Sequence, residues 1–146
     1  MIVKANMEEE QFCINQSIQS FSEGLDRSMT VTKEKADKLV HNVMEKGGFY
    51  LVYKDEGSIL GWVLLGKNKD YFTEITHGFI YDLFVFPAGR GKGISKELLK
   101  ASIQSFKDSG FDSVRLNVFA SNFAKKIYEK FGFEELQTIM EYKIHE

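Results

Sequence analysis

The stretch from Ile75 to Phe86 limits the fold more than any other part of the chain. Leu83-Phe84-Val85-Phe86 puts apolar side chains on both faces of a strand. Such a strand is dry only in mid-sheet, with helices above and below it. Pro87, the one proline, then stops the strand beside Gly89, Gly91 and Gly93. The periodic run that follows predicts a long helix over 91–109, buried through Ile94, Leu98, Ala101 and Phe106 and stopped by Gly110. A further strand is expected at 113–119, around Val114-Arg115-Leu116-Asn117-Val118. Joining two strands through a helix makes them parallel neighbours.

The other elements read outward from this unit. Ile14, Ile18 and Phe21 predict a helix over 8–23. Thr32 is a plausible N-cap for a second helix, with Val31 and Ala36 as a hydrophobic staple. Ala36, Leu39, Val40, Val43 and Met44 form its stripe, and Gly47 suits the position just past its end. Phe49–Tyr53 and Ile59–Leu65, separated by Asp55-Glu56-Gly57, read as a hairpin. Residues 68–74 read as a polar loop. Ser121 can cap a last helix with the stripe Ala124, Ile127, Tyr128 and Phe131. Gly132 ends that helix, and Ile139–Ile144 alternates like a closing strand. The order is β-α-α-β-β-β-α-β-α-β, an α/β chain with a mixed sheet and one domain over 1–146.

Composition narrows the class. Of 146 residues, 43% are apolar or aromatic, which suits an ordinary globular core. No apolar run is long enough to span a bilayer, and MIVKANMEEE turns acidic at once, so a secretory leader is not expected. A soluble, cytoplasmic protein with no membrane partner is the expectation. One cysteine (Cys13) and three scattered histidines (His41, His77, His145) give neither a disulfide nor a metal-ligand pattern, so no metal is expected. Formal net charge is −2. Residues 90–130 nonetheless hold nine basic residues against four acidic ones, in an otherwise acidic chain. That block suits either an anionic ligand or solvated helix faces, and the overall charge argues against nucleic acid.

The segment Gly89-Arg90-Gly91-Lys92-Gly93-Ile94 lies where a strand gives way to a helix. Glycines let a ligand approach the backbone, and the first helical turn offers free N–H groups with the positive end of the helix dipole behind them. Arg90 and Lys92 add formal charge. The P-loop pattern fails, because Phe86 stands five before Gly91 and Gly93 follows Lys92. The dinucleotide pattern GxGxxG fails as well, since Ile94 or Lys96 occupies its last glycine.

V-F-P-A-G-R-G-K-G-I-S-K-E-L-L (85–99) resembles the acyl-CoA signature of the GNAT superfamily of N-acetyltransferases, Arg/Gln-x-x-Gly-x-Gly/Ala after V-x-P. A-K-K-I-Y-E-K-F-G-F (124–133) resembles that superfamily's second CoA motif, and the order of elements is the same. The resemblance implies acetyl-CoA as co-substrate, bound where the sheet splays open between the strands at 75–86 and 113–119. It implies that the backbone of Leu83, Phe84 and Val85 holds pantetheine. The amides of Gly91, Lys92, Gly93, Ile94 and Ser95, with Arg90, would hold the pyrophosphate. Ser95 stands where the signature has Gly or Ala. The Asn of the second motif falls on Ser121 counted one way and on Asn122 counted the other.

Acetyl transfer needs a neutral amine, a polarised carbonyl and a proton for the leaving thiolate. The resemblance gives Tyr128 the acid role, while its place on the helix stripe equally suits a core tyrosine. Asp82 is the one charged side chain between His77 and Phe86, and a carboxylate there needs a reason. It could act as base, anchor a cationic amine, or pair with a Lys or Arg of the fold. Glu74, His77 and a water relay are weaker alternatives for the base. Cys13 reads as a packing thiol. The loops 22–31 and 66–74 hold Glu23, Asp26, Asp70 and Glu74, which would suit a cationic amine. The leading expectation is direct acetyl transfer in a ternary complex to a primary amine of a small molecule, peptide or protein. A catalytically silent acyl-CoA-binding sensor or scaffold is the alternative, and homodimerisation is left open.

Overall fold

The strand β1 (Ile2–Lys4) comes first, and Asn6 then starts the helix α1 (Met7–Asn15). The Asn6 side chain accepts from the Glu9 amide at 2.8 Å, and the Glu9 carboxylate accepts from the Asn6 amide at 3.0 Å. This computed structural model describes residues 1–26 and 29–145. The helix expected over 8–23 breaks at Gln16, which ends α1 and starts α2 (Ser17–Gly24). The buried face of the pair is not the Ile18–Phe21 stripe alone. Cys13, Ser17 and Ser20, small residues at helical spacing, are buried, Cys13 and Ser20 against the sheet and Ser17 beside Asp37 of the next helix.

Thr32 caps α3 (Lys33–Glu45) by accepting from the Lys35 amide, and Gly47 turns the chain with φ 92°. The strands β2 (Phe49–Asp55), β3 (Ser58–Lys69) and β4 (Thr76–Val85) then run antiparallel to one another. A single 3₁₀ turn at Pro87–Gly89 leads to α4 (Ile94–Asp108), which crosses over to β5 (Val114–Leu116). The last helix is α5 (Ala124–Phe131). Sheet order is β1-β2-β3-β4-β5, with only β4 and β5 parallel. A mixed α/β sheet covered on both faces is what the central apolar strand required.

Two cores flank the sheet. Val40, Tyr50, Val52, Trp62, Leu64 and Phe84 bury against α1–α3. Val63, Leu65, Ile80, Leu98, Leu99 and Phe106 bury against α4. Gly78 on β4 admits the Phe106 ring, since a Cβ there would fall 2.6 Å from it. The β3–β4 register slips between Leu64 and Leu65, so Tyr81 is an extra residue on β4.

Two expectations fail near the C-terminal side. Ser121 does not cap α5; the Asn122 side chain does, accepting from the Ala124 amide at 2.9 Å. The strand expected at Ile139–Ile144 joins no sheet. Its Ile139, Met140, Tyr142 and Ile144 are exposed, although the alternation that suggests a strand is real.

Candidate active site

The sheet opens where the resemblance implies. β4 pairs with β5 only through Gly78, Phe79 and Ile80, against Val114, Arg115 and Leu116. From Tyr81 to Val85 that edge of β4 has no strand beside it among the described residues. Leu83, Phe84 and Val85 stay paired with Val63, Trp62 and Gly61 on the other side. No strand takes up the edge-facing backbone groups of this stretch, which suits pairing with an extended ligand, although the Val85 carbonyl already accepts from Arg90.

This open edge runs into the glycine turn. Gly91 and Gly93 have φ 80° and 75°, which a side chain would strain. A Cβ at either would meet nothing within 4 Å, so the space above them is clear. Gly93 caps α4 without a side-chain bond. The amides of Ile94, Ser95 and Lys96 thus begin the helix without intrahelical partners and suit an anion. Lys92 is exposed beside them. The Arg90 side chain turns away: it donates to the Val85 carbonyl at 3.0 Å and pairs with Glu23 at 2.9 Å.

Asp82 lies at the inner end of the opening and is 8% exposed. Among the described residues no cation meets it. The Ser20 hydroxyl donates to one oxygen at 2.5 Å and the Trp62 indole donates to the other at 3.0 Å. Burial pushes its carboxyl up to about 6, against the pull of these donors. Cys13 nearby is buried, and burial with the Asp82 charge holds its thiol protonated. That agrees with a packing role. Tyr50 lies in the same core with its hydroxyl unpartnered, and burial raises it too.

Tyr128 lies on α5, packed against the core that α4 covers. Burial pushes its hydroxyl up to about 12, and the Asp82 charge adds to the shift, so the two groups share one electrostatic environment. Phe133 packs edge-on against its ring at 5.9 Å. Asn122 donates to the Gly24 carbonyl at 3.3 Å, while Ser121 is exposed.

The weaker candidates lie elsewhere. His77 bonds Ser113 where β4 and β5 are still paired, about 16 Å along the strand from Asp82 at ~3.3 Å per residue. Glu74 is exposed in the β3–β4 turn. Of the loops expected to receive an amine, Glu23 is paired with Arg90 and Asp70 with Arg115. Arg27 and Ser28 lie outside the described residues. Sequence reasoning missed Ser20 and Trp62. The spacing of Cys13, Ser17 and Ser20 was the available signal, because small residues on one face let a helix approach a sheet closely.

Among the described residues no helix is long and apolar enough to cross a membrane, and no group of three or more His, Cys, Asp or Glu could hold a metal ion. A sheet that opens beside a glycine-capped helix is the arrangement that the sequence resemblance implies. Residues 14–133 match the acetyltransferase (GNAT) family, and the chain belongs to that family. It is 34% identical over 91 residues to the uncharacterized N-acetyltransferase YycN of Bacillus subtilis, covering 62% of this chain and 57% of that protein. It is 28% identical over 141 residues to the uncharacterized N-acetyltransferase YdgE of the same organism, covering 88% of each. A putative acetyl transferase from Pyrococcus furiosus superposes with a TM-score of 0.83 at 25% identity, over 99% of both chains.

Proposed function

We propose that the protein moves an acetyl group from acetyl-CoA directly to a primary amine of a small molecule, peptide or protein, within one ternary complex. The observation that carries this is the free β4 edge from Tyr81 to Val85, continuous with the open turn at Gly91 and Gly93. In this reading Leu83, Phe84 and Val85 bind pantetheine as an added strand. The amides of Gly91, Lys92, Gly93, Ile94 and Ser95 take the pyrophosphate. Arg90 contributes through its backbone, since Glu23 and the Val85 carbonyl hold its side chain. Asn122 fills the second-motif slot, because its amide links the α5 start to α2, whereas Ser121 has no such link.

The amine nitrogen attacks the thioester carbon, a C–N bond forms and the C–S bond breaks. Asp82, reached through Ser20, takes the proton the amine loses. A carboxyl near 6 is ionised at neutral pH yet basic enough to accept a proton. Tyr128 keeps its proton throughout the neutral range and gives it to the departing thiolate. A panel of polyamines, aminoglycosides, amino acids and N-terminal peptides, assayed for thiol release from acetyl-CoA, tests the reading. Acceleration by at least one amine class is the expected result. Acetyl-CoA binding without thiol release for any amine would leave a binding domain instead.

A further inference from the structure

α2 has little of its own to hold it in place. It is eight residues long, its N-cap Gln16 makes no side-chain bond, and its fully buried residues are Ser17 and Ser20. A helix this short is marginal in water without tertiary contacts, and two serines supply little apolar burial. Its sequence also breaks a local rule. Glu23 lies in the last turn, where the negative end of the helix dipole disfavours a carboxylate. Such a conflict is expected where a residue serves a site elsewhere.

The Glu23 carboxylate accepts from Nη2 of Arg90 at 2.9 Å. Arg90 is itself fixed to β4. Its Nε donates to the Val85 carbonyl at 3.0 Å, and its guanidinium lies 5.9 Å from the centre of the Phe84 ring. One turn back along α2, the Ser20 hydroxyl donates to Asp82. Two struts therefore join α2 to β4, one through Ser20 to Asp82 and one through Glu23 and Arg90 to Val85.

We propose that Glu23 is a positioning residue, whose ion pair with Arg90 holds α2 against β4 so that the Ser20 hydroxyl stays on Asp82. Arg90 stands in the same turn as Gly91 and Gly93, so the strut also ties the base to the anion cradle. Its consequence for turnover rests on the acyl-transfer reading, in which Asp82 takes the proton of the amine; the contact itself does not. The donors that favour the charged form of Asp82 are Ser20, Trp62 and the Leu83 amide. The titratable groups that feel its charge are Cys13 of α1, Tyr50 of β2 and Tyr128 of α5. Burial holds all three protonated through the neutral range.

Trp62 provides a readout that needs no activity. It is the only tryptophan, and its indole donates to Asp82 at 3.0 Å, so its fluorescence titrates with that carboxyl. The wild type should show a transition near pH 6 that Asp82→Asn abolishes. Ser20→Ala should raise the midpoint by about one pH unit, the scale of one hydrogen bond to a charged group. Glu23→Ala should raise it by about 0.5 unit in a chain that stays folded, since an exposed pair contributes little to stability. In Ser20→Ala chains, Glu23→Ala should add nothing, because the strut acts through that hydroxyl. With an amine that accelerates thiol release, Glu23→Ala should lower kcat several-fold with KM for acetyl-CoA held, and the acid limb of the rate should move with the fluorescence midpoint.

The sign of the shift separates positioning from plain charge. Removing the Glu23 charge without moving α2 would leave Arg90 unpaired and lower the midpoint. A lowered or unchanged midpoint in Glu23→Ala overturns the proposal. So do additive shifts in the double variant, or an Asp82→Asn chain that keeps the transition. The expected midpoints in a chain that acetylates no amine would uphold the strut and refute acyl transfer.

Discussion

The two sides of β4 differ in kind. On one side β3 accompanies it from Gly61 to Lys69, backed by Tyr50, Val52, Trp62 and Leu64, all at 0% exposure. On the other side β5 stays for three residues, and α5 beyond it buries no residue fully. The paired side is a finished core that fixes where Asp82, Trp62 and the β4 backbone lie. The unpaired side leaves backbone and apolar groups without a strand beside them, and the proposed acetyl-CoA site lies there. Precision comes from the first and binding from the second.

The sharpest way to break this contrast is to close the cradle. Gly93→Asp places bulk and negative charge in space that none of the described residues occupies, so the fold should survive at a cost of about 1–2 kcal/mol of left-handed backbone strain. The acetyl-CoA melting shift should vanish and turnover with it, since a ligand stabilises only a state it can bind. Normal binding by a folded Gly93→Asp protein would refute the site.

Tyr128→Phe tests the open side with almost no change in volume. Its hydroxyl makes no hydrogen bond to the described residues, so stability should move by less than about 1 kcal/mol. Turnover should fall by about 10²- to 10³-fold with acetyl-CoA affinity held, the scale of a lost general acid. Unchanged turnover would remove Tyr128 from the chemistry.

Asp82→Asn tests the closed side's contribution. An amide can still accept from Trp62 and can donate to the Ser20 oxygen, so the core should stay intact. Turnover should fall about 10²-fold, and the rise of kcat/KM through pH 6 should disappear. Stability gives an independent check. The folded carboxyl binds its proton more tightly than the unfolded one, so wild-type stability should fall as pH rises from about 4 to about 6, by on the order of 3 kcal/mol. The Asn variant should lack that slope in urea titrations across the same window.

The smallest test compares packing directly. Leu64→Ala on the finished side should cost about 2–5 kcal/mol, the range for a fully buried leucine. Ile127→Ala on the half-covered α5 should cost about 1 kcal/mol. Equal losses in chemical denaturation would mean the two sides do not differ as described.

The legible part of the molecule was the part where local chemistry and tertiary contact agree. The strand ending at Val85, the glycine turn, α4, and the Thr32 cap all follow from side chains next to each other in sequence. Asp82 stood out because a charge on an apolar strand is unusual. Its partners did not, because Ser20 lies sixty-two residues away and reaches it only through the turn between helices at Gln16. The Asn122 cap was hidden by Ser121, an equally good capping residue one position earlier. The fate of 139–144 was hidden for another reason. Alternation says that a segment wants a neighbour; it does not supply one.

The added residue at Tyr81 has a consequence for reading the strand as text. Phe79 and Tyr81 stack at 4.6 Å on one face, with Ile80 on the other. Past the slip the parity inverts: Asp82 and Phe84 share the face that odd positions held before. A single rhythm laid over β4 would place Asp82 beside Ile80, against α4 and far from Ser20. Removing Tyr81 would therefore leave a plain ladder, with Ile80 opposite Leu65, Asp82 opposite Leu64, and the carboxylate still on the face of Ser20 and Trp62. Keeping Tyr81 but forcing the strand to pair without the slip would turn its second half over, burying Leu83 and Val85 under α2 and leaving the carboxylate facing apolar side chains.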